Sequence, residues 1–270
     1  MNTHRTGTRE LADANLIESI REHARWQAPA ELIEERGVLL LRGRNDYPGA
    51  YRNSVARIDP SQPAADTLAR AREFFAAHAR GFTLWVRSGV DDDLETVALA
   101  AGMQCVADGP CMLVESPVIA GNAPPEGVRV ERFAHEGHVR DAIAINAEAY
   151  ALLGLDPQQT RAGFPDPSRL LSPGIIGFVA YDAAGPVATA LTLIDGEGAG
   201  IYWVGTVSRA QRLGLGGLCT RLATNAAFER SVRVVMLQAS PFGAPLYTRL
   251  GFETYGRAKW YRAPTSIPQT

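Results

Sequence analysis

Cysteine is scarce in this chain. Three of 270 residues, Cys105, Cys111 and Cys219, stand at spacings that suit neither a disulfide framework nor a thiolate metal site. Cys219 falls on the apolar side of a helical pattern, and all three read as small core residues in a reducing compartment. An excess of charge is missing as well: 27 Lys and Arg stand against 29 Asp and Glu, for a net charge of −2 and a pI near 6.2. That balance offers no footprint for a polyanion, and Arg249, Arg257 and Arg262 read as a solvated face. Long apolar runs are absent too. The longest, residues 175–181, is far shorter than the ~20 residues a bilayer span needs, and Met1-Asn2-Thr3-His4-Arg5 leads into no apolar h-region. The expectation is a cytoplasmic protein with no nucleic-acid or membrane partner. Its hydrophobic fraction of 46% is ordinary for a globular chain, and its length suits one large or two small domains.

Glycine, by contrast, is locally abundant. Gly214, Gly216 and Gly217 follow the β-branched and aromatic run at residues 201–207 and precede apolar residues that recur at helical spacing over 218–222. The pattern is a strand, a glycine-rich turn and a helix start. The first N–H groups of a helix lack intrahelical partners, the macrodipole is positive there, and glycine admits close backbone approach, so the turn suits a phosphate. A P-loop would place Lys and then Ser or Thr after the last glycine, where this chain has Leu218-Cys219. A dinucleotide fingerprint needs a third glycine where Cys219 stands and an acid at the end of the next strand, which here ends in Gln238.

The hexapeptide Gln211-Arg212-Leu213-Gly214-Leu215-Gly216 resembles the pyrophosphate loop of the GNAT acyltransferases: Gln or Arg, two residues, Gly, one residue, then Gly or Ala. One strand later, residues 239–252 are similar to the family's closing motif, a short helix that carries Leu246-Tyr247 and ends in Leu250-Gly251-Phe252. Ser240 stands where the family often has Asn. The resemblance implies an α/β fold with a mixed sheet, acetyl-CoA or another acyl-CoA as co-substrate, and acyl transfer to a primary amine of a small molecule or peptide. It implies cofactor contacts from Thr206, Val207, Gln211, Arg212, Leu213, Gly214, Leu215, Gly216, Gly217 and Ser240. Tyr247 becomes the acid that protonates the departing thiolate, a role open to a phenol with a pKa of about 10. No metal is implied. An acyl-CoA-binding regulatory module without turnover is the competing reading, and a homodimer is left open.

The remaining chain reads in order as a helix over 9–26, strands over 31–41 and 51–58, a helix from a capping Asp66 to about 79, a strand over 82–87, a helix headed by Asp91, Asp92 and Asp93, and a strand over 104–115. That order resembles the GNAT core from its fourth strand onward. It gives a tandem arrangement: a degenerate copy at 1–117, a linker at 118–127 and a complete domain at 128–270. Residues 59–65, at the first copy's equivalent of the loop, contain no glycine and add Asp59. The three aspartates read as dipole-stabilised acids at a helix start rather than metal ligands. In the second domain, strands over 128–131, 175–182, 186–195 and 200–207 accompany a helix over 138–151, and a pair of strands follows Phe252.

Acyl transfer also needs a polarised carbonyl and a route for the amine's proton. Gly205 suggests a widened strand around 204–206 whose freed N–H could polarise the carbonyl, a donor worth roughly 3 kcal/mol in the transition state. Strand 200–207 carries no carboxylate or histidine, so Asp195, Glu148 and a water held by backbone carbonyls with Tyr202 or Gln238 stay open as the base. His135 and His138 read as surface residues, and Trp203 and Trp260 as core. The segment 150–169 would roof the acceptor site. Its Tyr150, Leu152, Leu155 and Phe164 favour an amine on an apolar or aromatic body.

Overall fold

The computed structural model describes residues 7–119 and 123–263. Its helices and strands follow in the order α1 (Thr8–Trp26), β1 (Glu31–Glu35), β2 (Val38–Arg42), β3 (Asn53–Arg57), α2 (Ala64–Ala77), β4 (Thr83–Arg87), α3 (Asp92–Ala100), β5 (Gln104–Val114), β6 (Arg129–Arg132), α4 (Glu136–Ala151), α5 (Pro157–Ala162), β7 (Ile175–Asp182), β8 (Gly185–Asp195), β9 (Gly198–Thr206), α6 (Leu215–Phe228), β10 (Val234–Gln238), α7 (Ala244–Arg249) and β11 (Glu253–Arg262). Among the described residues no helix is long and apolar enough to cross a membrane.

The chain divides into two compact units, and they are not the sequential halves expected at 1–117 and 128–270. Residues up to Ser19 join Cys111–Tyr255 in one unit, while Ile20–Pro110 join the residues from Gly256 on in the other. Strand pairing is the reason. The last residues of β5 pair antiparallel with β10, Cys111 opposite Gln238 and Val114 opposite Val235. The last residues of β11 pair antiparallel with β4, Ala258 opposite Arg87 and Arg262 opposite Thr83. Of the expected linker, Ala120, Gly121 and Asn122 lie outside the described residues. After Phe252 the chain forms the single strand β11, not a pair.

In the larger unit the strands run in the order β5-β10-β9-β8-β7-β6. The pairs from β6 through β9 are antiparallel, while β9 and β10 are parallel, which requires the crossover that α6 provides. Leu215, Leu218, Cys219, Ala223 and Ala227 of α6 share a core with Val187, Ala188, Ala190, Ala199 and Ile201 of the sheet. Cys219 is thus a packed core thiol, with a pKa pushed by burial up to about 12.

In the smaller unit the order is β1-β2-β3-β4-β11. Residues 31–41, read as one strand, form the hairpin β1–β2 instead. Its two-residue turn, Arg36 and Gly37 at φ 50° and 72°, has the two positive φ values of a type I′ turn. The strands β3 and β4 are parallel across α2, the same local order as β9, α6 and β10. Pro63 precedes α2, and Asp66 lies in its first turn rather than capping it.

Asp91 and Asp93 serve more than the dipole of α3. Buried Arg57 donates from Nε to Asp91 Oδ1 at 3.0 Å and from Nη2 to Asp93 Oδ1 at 2.6 Å, and Arg87 Nε reaches Asp91 Oδ2 at 2.8 Å. Both Arg57 and Asp91 are 1% exposed. Arg57→Met would leave the Asp91 carboxylate with Arg87 alone, and the cost should be about 3 kcal/mol, the lower end for breaking a buried pair. Urea denaturation monitored by circular dichroism measures it. A loss below about 1 kcal/mol would show that Arg87 alone satisfies Asp91.

Candidate active site

Parallel pairing of β9 with β10 begins at Gly198 opposite Val234 and ends at Ile201 opposite Leu237. Residues 202–206 of β9 continue past the end of the ladder, so the strands part there. In the same stretch Thr189 of β8 faces Gly205 and Leu191 faces Tyr202, which leaves one extra residue on β9. Trp203, at φ 53°, marks this β-bulge, one residue before the expected widening.

The bulge sorts the side chains of β9 between two faces. Gly216, at the start of α6, lies against Thr206 and Val204: a Cβ there would stand 2.9 Å from Thr206 Oγ1. Trp203 and Gly205 face the other way. The Trp203 ring lies 5.2 Å from Tyr150 and 4.7 Å from Phe164, while Gly205 lies against Ile145, Asn146 and Ala149 of α4. Hence α6 and the α4–α5 segment cover opposite faces of the parted strand.

The loop into α6 separates bound amides from open ones. Val207 N–H donates to Val187 O at 2.9 Å and ends the sheet, so this amide is not open to a cofactor. Ala210 N–H and Gln211 N–H close a short turn onto Val207 O at 3.0 Å and Ser208 O at 3.4 Å. From Arg212, at φ 63°, the pattern changes. The amides of residues 212–217 donate to nothing among the described residues, α6 has no side-chain cap, and Leu218 N–H makes the first helical bond, to Gly214 O at 3.0 Å. Gly214 at φ 78° turns the chain into the helix, a conformation a side chain would strain. Open N–H groups at a helix start, beside glycines, form a receptive surface for a pyrophosphate.

The helix α7 closes this end. A Cβ on Gly217 would stand 3.0 Å from Leu246 Cδ1, which brings α7 directly against α6. Ser240 Oγ accepts from Gly243 N–H at 3.1 Å and ties the turn before α7, while its own hydroxyl proton remains available to donate. Tyr247 is 8% exposed, and its hydroxyl has no hydrogen-bond partner among the described residues. Burial pushes its pKa up to about 12, so it stays a proton donor at any physiological pH.

The geometry places each candidate for the base. Asp195 pairs with Gly198 at the far end of β9, about 23 Å along the strand from Gly205 at about 3.3 Å per residue. Glu148 Oε1 accepts from Ser208 N–H at 2.7 Å and so caps the turn after β9. Tyr202 Oη donates to Asn15 Oδ1 at 2.9 Å, on α1. His138 Nδ1 accepts from Ala134 N–H at 3.2 Å while Nε2 faces Glu131 at 2.9 Å, and His135 Nδ1 accepts from Gly137 N–H at 3.1 Å, so both hold the start of α4. Sequence pattern assigns no function to Asn146, a buried polar residue on α4 that the fold brings against Gly205.

In the smaller unit the loop between β3 and α2 is filled. Ser61 N–H donates to Asp59 Oδ1 at 2.9 Å, Arg57 Nη1 donates to Gln62 O at 3.1 Å, and no glycine is present.

The chain has the fold of the GCN5-related N-acetyltransferases, an α/β fold with a mixed sheet. A GCN5-related N-acetyltransferase from Kribbella flavida superposes with a TM-score of 0.73 at 24% identity, over 96% of this chain and 96% of that one. A second such enzyme, from Sphaerobacter thermophilus, gives 0.61 at 18% identity over 95% and 93%. A tandem GNAT protein from the clavulanic acid biosynthesis pathway gives 0.62 at 15% identity over 97% and 90%. No protein-family model matches the chain, and no curated protein matches it.

Proposed function

We propose that this protein is an acyl-CoA-dependent N-acyltransferase, with acetyl-CoA as the default donor and a primary amine of a small molecule or peptide as acceptor. The observation that carries this reading is the run of amides at residues 212–217 with no partner among the described residues, set where β9 and β10 part and closed by α7. The amides and the positive end of α6 bind the pyrophosphate. Thr206, beside Gly216, and Ser240, ahead of α7, line the way from that end of the helix. The bulge at Trp203 leaves an unpaired residue whose N–H can polarise the thioester carbonyl. Tyr247 hands its proton to the thiolate as the carbon–sulfur bond breaks, and the amine's proton leaves to water. The rings of Tyr150, Phe164 and Trp203 give the acceptor an aromatic neighbour, which favours an amine carried on an apolar body.

A panel of primary amines, from arylalkylamines to polyamines and short peptides, incubated with acetyl-CoA and assayed for free thiol, tests the reading. Thiol release that depends on an amine and matches the acetylated product supports a transferase. Tight binding of acetyl-CoA without release for any amine would show a binding module instead.

A further inference from the structure

Asn146 is 3% exposed, yet its Oδ1 has no hydrogen-bond donor among the described residues. It sits on α4 among Val139, Ile143, Ile145 and Ala147, where a leucine of similar size would pack without leaving a polar atom unpaired. Leaving a buried carbonyl unpartnered is costly to the fold, so its presence calls for a donor that arrives later. The backbone makes room for this amide. A Cβ on Gly205 would collide with Asn146 Oδ1, so glycine at 205 is what allows the side chain to lie against the end of β9. Tyr150, one helical turn along α4, presents its ring to Trp203 on the same face.

Resting on the acyltransferase reading above, we propose that Asn146 is a catalytic residue whose Oδ1 accepts an N–H of the incoming amine. A thioester held by its pyrophosphate at the start of α6 and passed between the parted strands presents its carbonyl on the α4 face, where Asn146 meets Gly205. The uncharged amine directs one N–H at Oδ1, which turns its lone pair toward the carbonyl carbon. The carbon–nitrogen bond forms and the carbon–sulfur bond breaks. Sulfur takes the Tyr247 proton, the new ammonium gives a proton to water, and solvent reprotonates Tyr247. The amide of Asn146 takes no proton itself; it fixes the direction of attack.

The test uses the full chain, acetyl-CoA and hydroxylamine, a minimal nucleophile whose nitrogen is uncharged at neutral pH, with the uncatalysed rate subtracted. Asn146→Leu should lower kcat at least ten-fold while calorimetry finds acetyl-CoA affinity within two-fold of wild type. Asn146→Asp, isosteric, should keep more of the rate and add an ionisation to the pH profile of kcat that wild type lacks, an effect no packing role would produce. Should Asn146→Leu fail to fold, the Asp variant decides alone. A leucine variant within two-fold of wild type in kcat, or an Asp variant with an unchanged pH profile, overturns the assignment while leaving the acyltransferase reading intact. If wild type binds acetyl-CoA but acetylates no hydroxylamine, a crystal structure of the acetyl-CoA complex soaked in hydroxylamine decides. Nitrogen within about 3.2 Å of Oδ1 supports the role, and an empty Oδ1 overturns it. Failure of wild type to bind acetyl-CoA at all would remove the acyltransferase reading and this inference with it.

Discussion

Gly216→Asp should lower acetyl-CoA affinity at least a hundred-fold in a protein that still folds. The new carboxylate would stand among the open amides of residues 212–217, where the proposed function places the pyrophosphate. Repulsion of the anion and loss of charge-assisted hydrogen bonds together amount to about 3 kcal/mol, or about two decades in Kd. An acid in the first turn of a helix favours the helix, which offsets part of the cost of placing a carboxylate at this buried position. The added Cβ stands 2.9 Å from Thr206 Oγ1, the free end of a side chain that can rotate aside. Gly216→Asn carries the same bulk without the charge and should lose about ten-fold. Calorimetric titration of the three proteins separates the two effects. Unchanged affinity in the Asp variant would place the pyrophosphate elsewhere.

Tyr247→Phe should cost at least ten-fold in kcat with acetyl-CoA affinity almost unchanged, since the ring and its contact with Phe252 remain and only the proton donor goes. The pH dependence adds a sharper test. Burial raises the phenol pKa to about 12, so the neutral, proton-bearing form persists as pH rises until that region is reached. Wild-type kcat should therefore show no alkaline loss attributable to Tyr247 below about pH 11. A variant within two-fold of wild type at every pH would mean that solvent protonates the thiolate.

The parts of the site that were legible in the sequence are those built from consecutive residues. Strand β9, the glycine turn and α6 could be read because β-branched alternation, three close glycines and helical periodicity stand side by side, and Leu246-Tyr247 lay one strand further on. The unit boundaries could not be read locally. They depend on Ala258–Arg262 pairing with β4 and Cys111–Val114 pairing with β10, choices between distant strands that leave no mark on either segment. The β1–β2 hairpin was hidden for another reason: Arg36 takes a positive φ usually given to Asn, Asp or Gly, so its turn carried no strong signal. Val207 looked free because it follows the strand, although its amide makes the sheet's closing bond. Asp195 became a candidate by residue type alone, and only the β8–β9 register shows how far it lies from Gly205. Asn146 stands beside the apolar face of its helix in the sequence, but that it meets Gly205 depends on how α4 packs on β9.

Under the proposed function the chain holds a single acyl-CoA site, made by the loop between β9 and α6. Its counterpart between β3 and α2 has no glycine, has Asp59 and Gln62 already bonded within the loop, and lacks an equivalent of Leu246-Tyr247. Native mass spectrometry of the intact protein with excess acetyl-CoA, alongside the Gly216→Asp variant, measures this directly. One equivalent should bind wild type and none the variant, whereas two on wild type, or one retained by the variant, would show that another part of the chain holds acetyl-CoA.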